Sequence, residues 1–277
     1  YGSVLFDLKT DSIISEYNYP IYSISPLGDF AITLNMSRLG RLRPGYGYSL
    51  IKDTTSEISA PEGDGLFLID LKTKKTKNII NFSEIVHRIN SSINDEHYLN
   101  HASFSPDGKN IVFFHIIKKY KSNKRKIIFC RYNIKNKKIS IIESENTTSH
   151  YCWRNSNSIL ATNVSKNGKW NYSLYNLKDN TKENLKINIF QDGHPMFSPT
   201  NPDVFITDTY PDKLGYQHLL LVDLKLNKTY ELAQLYSPIK FRGQVRCDLH
   251  PRWNHLGNKI CVDTTFRGSR EILIFSL

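Results

Sequence analysis

The sequence predicts an all-β protein, a β-propeller of four-stranded blades, on three observations. First, a histidine followed three positions later by an aromatic residue recurs: His101 with Phe104, His150 with Trp153, His194 with Phe197 and His250 with Trp253. Each aromatic precedes a turn-forming pair and then a short apolar run, at residues 110–114, 158–162, 204–207 and 259–262. The aromatics are 49, 44 and 56 residues apart, and repeats of roughly 40 to 50 residues with several strands each mark a propeller. Second, the chain has 16 tyrosines and 14 phenylalanines, residues that suit a pleated surface. Third, helical periodicity is confined to residues 81–93, with Ser83 as the expected N-cap.

The 277 residues are read as one propeller domain with about six blades visible. Residues 1–16 give two strands, 3–8 and 12–16, around the turn Lys9-Thr10-Asp11. They resemble the outer strands of a blade, and they are also the candidates to complete the last blade. The chain opens on Tyr1 beside a strand, which reads as a truncated N-terminus. The next blade starts at Pro20, with strands at 21–25 and 31–35. Its histidine position holds Ile21, so the histidine repeat is not expected to extend there.

A long insertion, residues 36–64, interrupts that blade. It contains Ser37-Arg38-Leu39-Gly40-Arg41-Leu42-Arg43-Pro44-Gly45-Tyr46-Gly47-Tyr48, which does not read as a strand. Long loops in compact repeat folds tend to carry function. Arginine grips carboxylates and tyrosine offers a flat face to a sugar ring, so Arg43 and Tyr46 are candidate substrate contacts. The competing reading is a structural plug. The blade resumes at 65–71 and 76–80. Further blades follow at 98–143, 150–187 and 193–235, and a three-stranded one at 248–277. The Asp107-Gly108 pair is a strong hairpin signal in the first of these.

The net charge is +11. Most of it is read as solvated lysine in blade-edge turns, at 72–77, 118–126 and 135–138. The remainder favours an anionic partner. Nucleic acid is the weakest candidate, because no nucleic-acid module pattern is present and the basic runs lack interleaved aromatics. No run of eighteen apolar residues occurs, so no membrane helix is expected. Cys130, Cys152, Cys247 and Cys261 form no C-x-x-C pair and lie in or beside strands, as buried thiols do. With no signal pattern visible, a cytoplasmic location is the expectation.

Equivalent positions in successive blades lie at equivalent places around a propeller axis, so the four histidines are expected to converge. A single histidine at a strand start is ordinarily a packing residue. Titratable groups gathered at one repeat position are costly unless they bind something. Imidazole serves as a metal ligand and as a general base near neutral pH. In Gln244-Val245-Arg246-Cys247-Asp248-Leu249-His250, a strand would put Asp248 and His250 on one side and Cys247 on the other. With His194 they would form a mixed nitrogen and oxygen site for manganese, iron or zinc, to which Gln244 could add an oxygen.

Several segments carry a resemblance: 100–115, Asp192-Gly193-His194-Pro195, Thr207-Asp208-Thr209-Tyr210-Pro211-Asp212 and Arg246-Cys247-Asp248-Leu249-His250-Pro251-Arg252-Trp253. Together they resemble the oligogalacturonate lyase family and related β-propellers. The similarity runs from about residue 95 and, more weakly, through Arg43-Pro44-Gly45-Tyr46-Gly47-Tyr48. It implies a seven-bladed propeller that cleaves short uronate oligosaccharides by β-elimination, with a manganese-type ion held by histidines and a glutamine. By position, His194 and His250 match metal ligands, His150 matches the base, and Arg125 falls near a catalytic arginine. The implied substrate contacts are His101, Tyr210, Arg246, Arg43 and Tyr46. This chain departs from the family pattern Gln-x-x-His-x-His-Pro: Asp248 replaces the first histidine, and Val245 stands at the glutamine position with Gln244 one residue away. Zinc, iron and calcium are the alternatives to manganese. The competing functions are a non-catalytic propeller platform for anionic sugar or a protein partner, and a metal-dependent hydrolase.

Overall fold

The protein is described from a computed structural model covering residues 1–120, 122 and 124–277. Lys121 in the expected lysine turn at 118–126 lies outside the described residues. The chain divides into two compact units, Tyr1–Ser144 and Glu145–Leu277. Both are built from antiparallel sheets in which sequential strands are neighbours. This is the up-and-down pattern of propeller blades, and the fold class is that of a β-propeller.

In the first unit, β1 (Ser3–Asp7) and β2 (Ser12–Tyr17) form a two-stranded sheet of their own. The first four-stranded blade has β3 (Ser23–Ile24), β4 (Phe30–Leu34), β5 (Gly65–Asp70) and β6 (Thr76–Asn81). Its inner strand is two residues long, shorter than the 21–25 read from sequence. The second blade has β7 (Glu96–Phe104), β8 (Asn110–Lys118), β9 (Arg125–Asn133) and β10 (Lys138–Glu143). Strand β8 is buried from Ile111 to Ile117 on both faces, and this explains an apolar run broken only by His115. Between β7 and β8 the chain turns at Ser105-Pro106-Asp107-Gly108. Gly108 N–H donates to Ser105 O at 2.8 Å, and the Ser105 hydroxyl donates to Asp107 at 2.7 Å. Gly108 has φ +70°, a conformation that favours glycine.

The insertion is not the loop expected from its arginines and glycines. It opens with helix α1 (Met36–Leu42), capped by Asn35, whose side chain accepts from Arg38 N. Leu39 and Leu42 are buried, and so is Arg38, at 1% exposed. Arg38 donates to the carbonyls of His97, Thr55, Ile58 and Ser59 and to Glu96. Arg41 bridges Asp53 and Glu96. Two of the three arginines therefore fasten the insertion to the blade rather than meeting a ligand. A seven-residue helix is marginal alone, and these tertiary bonds are not visible in local periodicity. The second helix, α2 (Phe82–Arg88), is shorter than residues 81–93. Its N-cap is Asn81 rather than Ser83, because the Asn81 carboxamide accepts from Glu84 N at 2.7 Å.

In the second unit the first blade has β11 (Thr147–Asn155), β12 (Ser158–Val164), β13 (Trp170–Asn176) and β14 (Thr181–Asn184). The next has β15 (Met196–Phe197), β16 (Val204–Asp208), β17 (Tyr216–Asp223) and β18 (Lys228–Tyr236). The last has three strands, β19 (Arg252–Trp253), β20 (Lys259–Thr264) and β21 (Glu271–Ser276). Phe197 and Trp253, two of the repeating aromatics, each belong to an apolar core cluster, with Leu160 and Phe205 in one case and Leu249 and Ile260 in the other. The aromatic of the repeat is thus a packing residue, and in these two blades it closes the inner strand three residues after the histidine. Among the described residues no helix is long and apolar enough to cross a membrane.

Candidate metal centre

Three histidines of the second unit stand side by side. The ring centroids of His150 and His194 are 4.0 Å apart, and those of His194 and His250 are 3.9 Å apart. Each is placed by a local departure from regular structure. His150 lies in β11 at a register shift, where its N–H donates to the Thr162 hydroxyl at 3.1 Å. His194 lies in the segment before β15. It follows Gly193, at which an added Cβ would come within 2.1 Å of Asp208 O and 2.7 Å of the Tyr172 hydroxyl. Only glycine lets the chain pass there.

His250 has φ +41°, the left-handed region that non-glycine residues seldom occupy. Residues 246–251 form no strand, which corrects the expectation that alternation along a strand aims Asp248 and His250 together. A loop pinned at its middle does so instead. Leu249 is fully buried in the core, its carbonyl accepts from Asp263 N at 2.9 Å, and the Cys247 carbonyl accepts from Gln217 at 3.2 Å.

Behind the imidazoles lies a row of acceptors. His150 Nδ1 is 3.1 Å from Asp192 Oδ1. His194 Nδ1 is 2.9 and 3.0 Å from the two oxygens of Asp208. His250 Nδ1 is 3.3 Å from the Asp248 carbonyl. A carbonyl or carboxylate oxygen can only accept, so each Nδ1 is assigned the proton and each Nε2 the lone pair. Acceptors behind the ring orient histidine ligands in metal sites in this way. Asp192 also takes the hydroxyls of Ser149 and Thr162, at 2.6 and 2.8 Å, and the N–H of Gly193 at 2.9 Å. Burial works to raise Asp192, but its bonds from His150, Ser149 and Thr162 outweigh it and hold the carboxyl below its usual range.

The imidazoles differ in proton affinity. Burial, then the neighbouring His194, pushes His150 down, and the same two causes in the same order push His250 down. Burial acts to lower His194 too, but Asp208 first, then Asp248 and Asp192, overcome it and leave His194 raised. The cluster thus offers a neutral imidazole on either side of a more basic one.

Ligand atoms of His194, Asp248 and His250 all lie within 4.8 Å of one another. Two nitrogens and one oxygen suit manganese, iron or zinc, and the donor set fits such an ion. Asp248 is also gripped by Arg246, with Nε to Oδ1 at 2.7 Å and Nη2 to Oδ2 at 2.8 Å. Arg246 lies over the Tyr210 ring at 4.5 Å, and Tyr210 meets His194 edge-on at 5.9 Å. Gln244 sits in an exposed 3₁₀ turn, Gly243–Val245. His101, Arg125, Arg43 and Tyr46 belong to the first unit. There the His101 ring packs on Phe114 at 5.0 Å, Arg43 covers Tyr46 at 4.0 Å, and Arg125 reaches the Leu42 carbonyl at 3.5 Å.

Reading the sequence for site residues passed over Asp192 and Asp208. Asp208 ends the strand Val204–Asp208, whose last four residues are buried. A carboxylate closing an otherwise apolar and threonine strand was the available signal, because a buried charge demands partners.

No protein-family model matches the chain, and no curated protein sequence matches it. Among solved structures, an oligogalacturonate lyase in complex with manganese superposes with a TM-score of 0.71 at 14% identity, over 98% of this chain and 70% of that one. TolB from Acinetobacter baumannii gives a TM-score of 0.51 at 16% identity, over 79% of this chain and 47% of that one. The tricorn protease gives 0.58 at 10% identity, over 98% of this chain and 28% of that one. This chain therefore spans less than half of the TolB and tricorn chains. At such identities the likeness is one of fold, and it makes this chain a structural relative of the propellers found in a lyase, TolB and a protease.

Proposed function

We propose that the chain acts on short uronate-containing oligosaccharides by metal-assisted β-elimination, in the manner of an oligogalacturonate lyase. The observation that carries this reading is the row of three imidazoles whose Nδ1 atoms are all tied to acceptors, with an acidic ligand atom beside two of them. It is built on the unit Glu145–Leu277 alone. The likeness to the manganese-bound lyase supports it at the level of fold.

In this reading His194, Asp248 and His250 hold the ion. When bound, a divalent cation would neutralise the substrate carboxylate and so acidify the carbon beside it. His150 takes that proton at Nε2, the freed electron pair forms the carbon–carbon double bond, and the glycosidic oxygen on the next carbon leaves with a proton from water. Burial keeps His150 neutral near pH 7, and Asp192 behind it stabilises the imidazolium that forms and fixes the tautomer that receives the proton. Asp208 holds the ring of His194 and the backbone of His250. The Tyr210 ring and the Arg246 guanidinium beside it provide a flat face and a cation for an acidic sugar.

Elemental analysis of the purified protein, with His194→Ala and His250→Ala beside it, tests the reading. About one divalent transition metal per chain is expected in the parent, lost in both variants. Uronate oligosaccharides should then yield an unsaturated, ultraviolet-absorbing product that His150→Ala does not form. A parent that takes up no metal after reconstitution with manganese rejects this function. One observation favours a second reading, a non-catalytic platform for anionic sugar: Arg246 already neutralises Asp248 with two hydrogen bonds. That reading expects sugar binding that persists in a chelator.

A further inference from the structure

The unit Glu145–Leu277 carries a groove at the ends of its blades remote from the imidazoles. On β11 the chain runs from His150 to Arg154 and Asn155, where it turns into β12. Arg154 therefore lies roughly 13 Å along the strand from the histidine. Two adjoining hollows open there, of about 630 and 510 Å³, and Arg154, Leu174 and Glu183 line both. The first follows the β13–β14 hairpin past Lys178 and Lys182. The second crosses to the next blade and reaches Leu224, Lys225 and Asn227, in the turn between β17 and β18. Arg154 ties the two blades together at the junction. Its Nε donates to the Pro202 carbonyl at 2.8 Å and its Nη2 donates to Asp203.

The floor of this groove is aliphatic. Leu174, Leu185, Ile187 and Leu224 line it and are only partly buried, resting on a core that includes Leu160 and Phe205. The rim is basic. Lys178, Lys182, Lys186 and Lys225 are exposed, and with Arg154 they face two carboxylates, Glu183 and Asp203. Arg154 already holds Asp203, so the rim keeps an excess of positive charge, which draws anions. One wall is β14, Thr181–Asn184, the outer strand of its sheet, exposed along its length. Among the described residues β14 pairs with β13 alone, and an outer strand presents backbone N–H and C=O groups along its free edge.

We infer that this groove docks an extended acidic segment of a partner protein. The segment lies along β14, with aliphatic side chains on the leucine floor and carboxylates toward the lysine rim. Strand addition joins a peptide to a sheet edge through its backbone and reads its alternate side chains, which matches an edge strand beside an aliphatic floor. Among the described residues no aromatic side chain lines either hollow, so the groove lacks the flat faces on which the bases of a nucleic acid stack. A solvated lysine surface would account for the charge, but not for hollows that continue across two blades over an apolar floor. The inference needs neither the metal nor the proposed reaction.

The test is fluorescence anisotropy of a labelled octapeptide alternating glutamate and leucine, titrated with the full chain in EDTA at physiological ionic strength. Peptides alternating glutamate with serine, and lysine with leucine, are the controls. One variant combines Lys182→Glu with Lys225→Glu in the groove. A second combines Lys72→Glu with Lys75→Glu, the same change of charge in the other unit. The parent should bind the glutamate–leucine peptide, and each control peptide about tenfold more weakly or less. The groove variant should bind the glutamate–leucine peptide about tenfold more weakly than the parent, and the second variant should bind it as the parent does. All four lysines are exposed, so both variants should keep the parent's melting temperature. No binding by the parent overturns the proposal. Equal binding of the glutamate–serine peptide, or equal losses in the two variants, would reduce the attraction to net charge and overturn it. Displacement of the peptide by an equal concentration of oligothymidylate would assign the groove to nucleic acid and overturn it as well.

Discussion

Asp208 accepts the Nδ1 proton of His194, with its two oxygens 2.9 and 3.0 Å away. The same carboxylate takes the backbone N–H of His194 at 2.7 Å and that of His250 at 3.0 Å. One buried side chain therefore sets the rotation of one imidazole and the backbone of the loop carrying another. Asp208→Asn keeps the shape but turns an amide –NH₂ toward groups that can only donate. The expected result is a folded protein whose affinity for manganese falls by about 10- to 100-fold. Metal titration reads this directly, and an unchanged affinity would remove Asp208 from the support of the site.

Gly193 is the second lever on the same geometry. A methyl group there would meet Asp208 O at 2.1 Å, the Thr207 hydroxyl at 2.6 Å and the Tyr172 hydroxyl at 2.7 Å. Asp208 O is backbone, so the neighbours cannot simply turn aside. Gly193→Ala should cost about 1–3 kcal/mol of stability through overpacking and should weaken metal binding, since the strain falls between His194 and its carboxylate. Denaturant unfolding and metal titration on one preparation would show both losses. A variant as stable as the parent would mean that the segment can shift outward.

Arg38 makes a third case, in the other unit. It is 1% exposed, and its guanidinium serves the His97, Thr55, Ile58 and Ser59 carbonyls and Glu96. Asp53, also buried, lies 3.9 Å from it. Arg38→Met fills the volume but strands those acceptors. The expected loss is about 3–5 kcal/mol, the usual result of removing one partner from a buried ion pair, with proteolytic sensitivity appearing first in residues 43–64. A loss below 1 kcal/mol would show that Arg41, which also reaches Asp53 and Glu96, holds the insertion by itself.

The contrast between Arg38 and Arg43 shows where the sequence was legible. Four blades were readable because each repeats a histidine, an aromatic and a turn at fixed offsets, and Phe197 and Trp253 close the short inner strands just before that turn in the structure as they do in the sequence. The grouping of His150 with His194 and His250 follows from the same repeat. Asp192 and Asp208 were not readable as partners, because they sit at no shared offset from the histidines they serve: 42 residues after His150 and 14 after His194. Nor did composition distinguish the arginines of the insertion. Three in six residues look alike in sequence, and only tertiary contacts put Arg38 in the core and Arg43 on a tyrosine face. The register of Asp248 and His250 was read as a strand because alternation is the simplest way to aim two side chains together. A left-handed residue within a pinned loop reaches the same end and leaves no periodic trace.

His115 gives the pH dependence its sign. It is fully buried, and burial first, then the neighbouring His97, pushes it down to about 3. His97 Nε2 is 3.0 Å from the Ser92 carbonyl and must donate there, so its Nδ1 accepts from His115 Nε2, also at 3.0 Å. His97 cannot take another proton without breaking the pair, and a proton on the remaining nitrogen of His115, Nδ1, would be buried with no partner among the described residues; burial lowers His97 as well. An unfolded histidine titrates near 6.5. Above that pH both states hold a neutral ring, and the full contribution to stability is present. As the pH falls from about 6.5 toward about 3, the unfolded state gains a proton that the native state refuses, and stability drops by up to about 1.4 kcal/mol per pH unit for this group. His115→Phe keeps a ring beside Phe82, 6.4 Å away, and removes the titration. Urea unfolding at pH 7.5 and pH 5 should show the variant losing about 2 kcal/mol less than the parent over that interval. Equal losses would mean that the pair opens to water well before the protein unfolds, with the proton entering the native state.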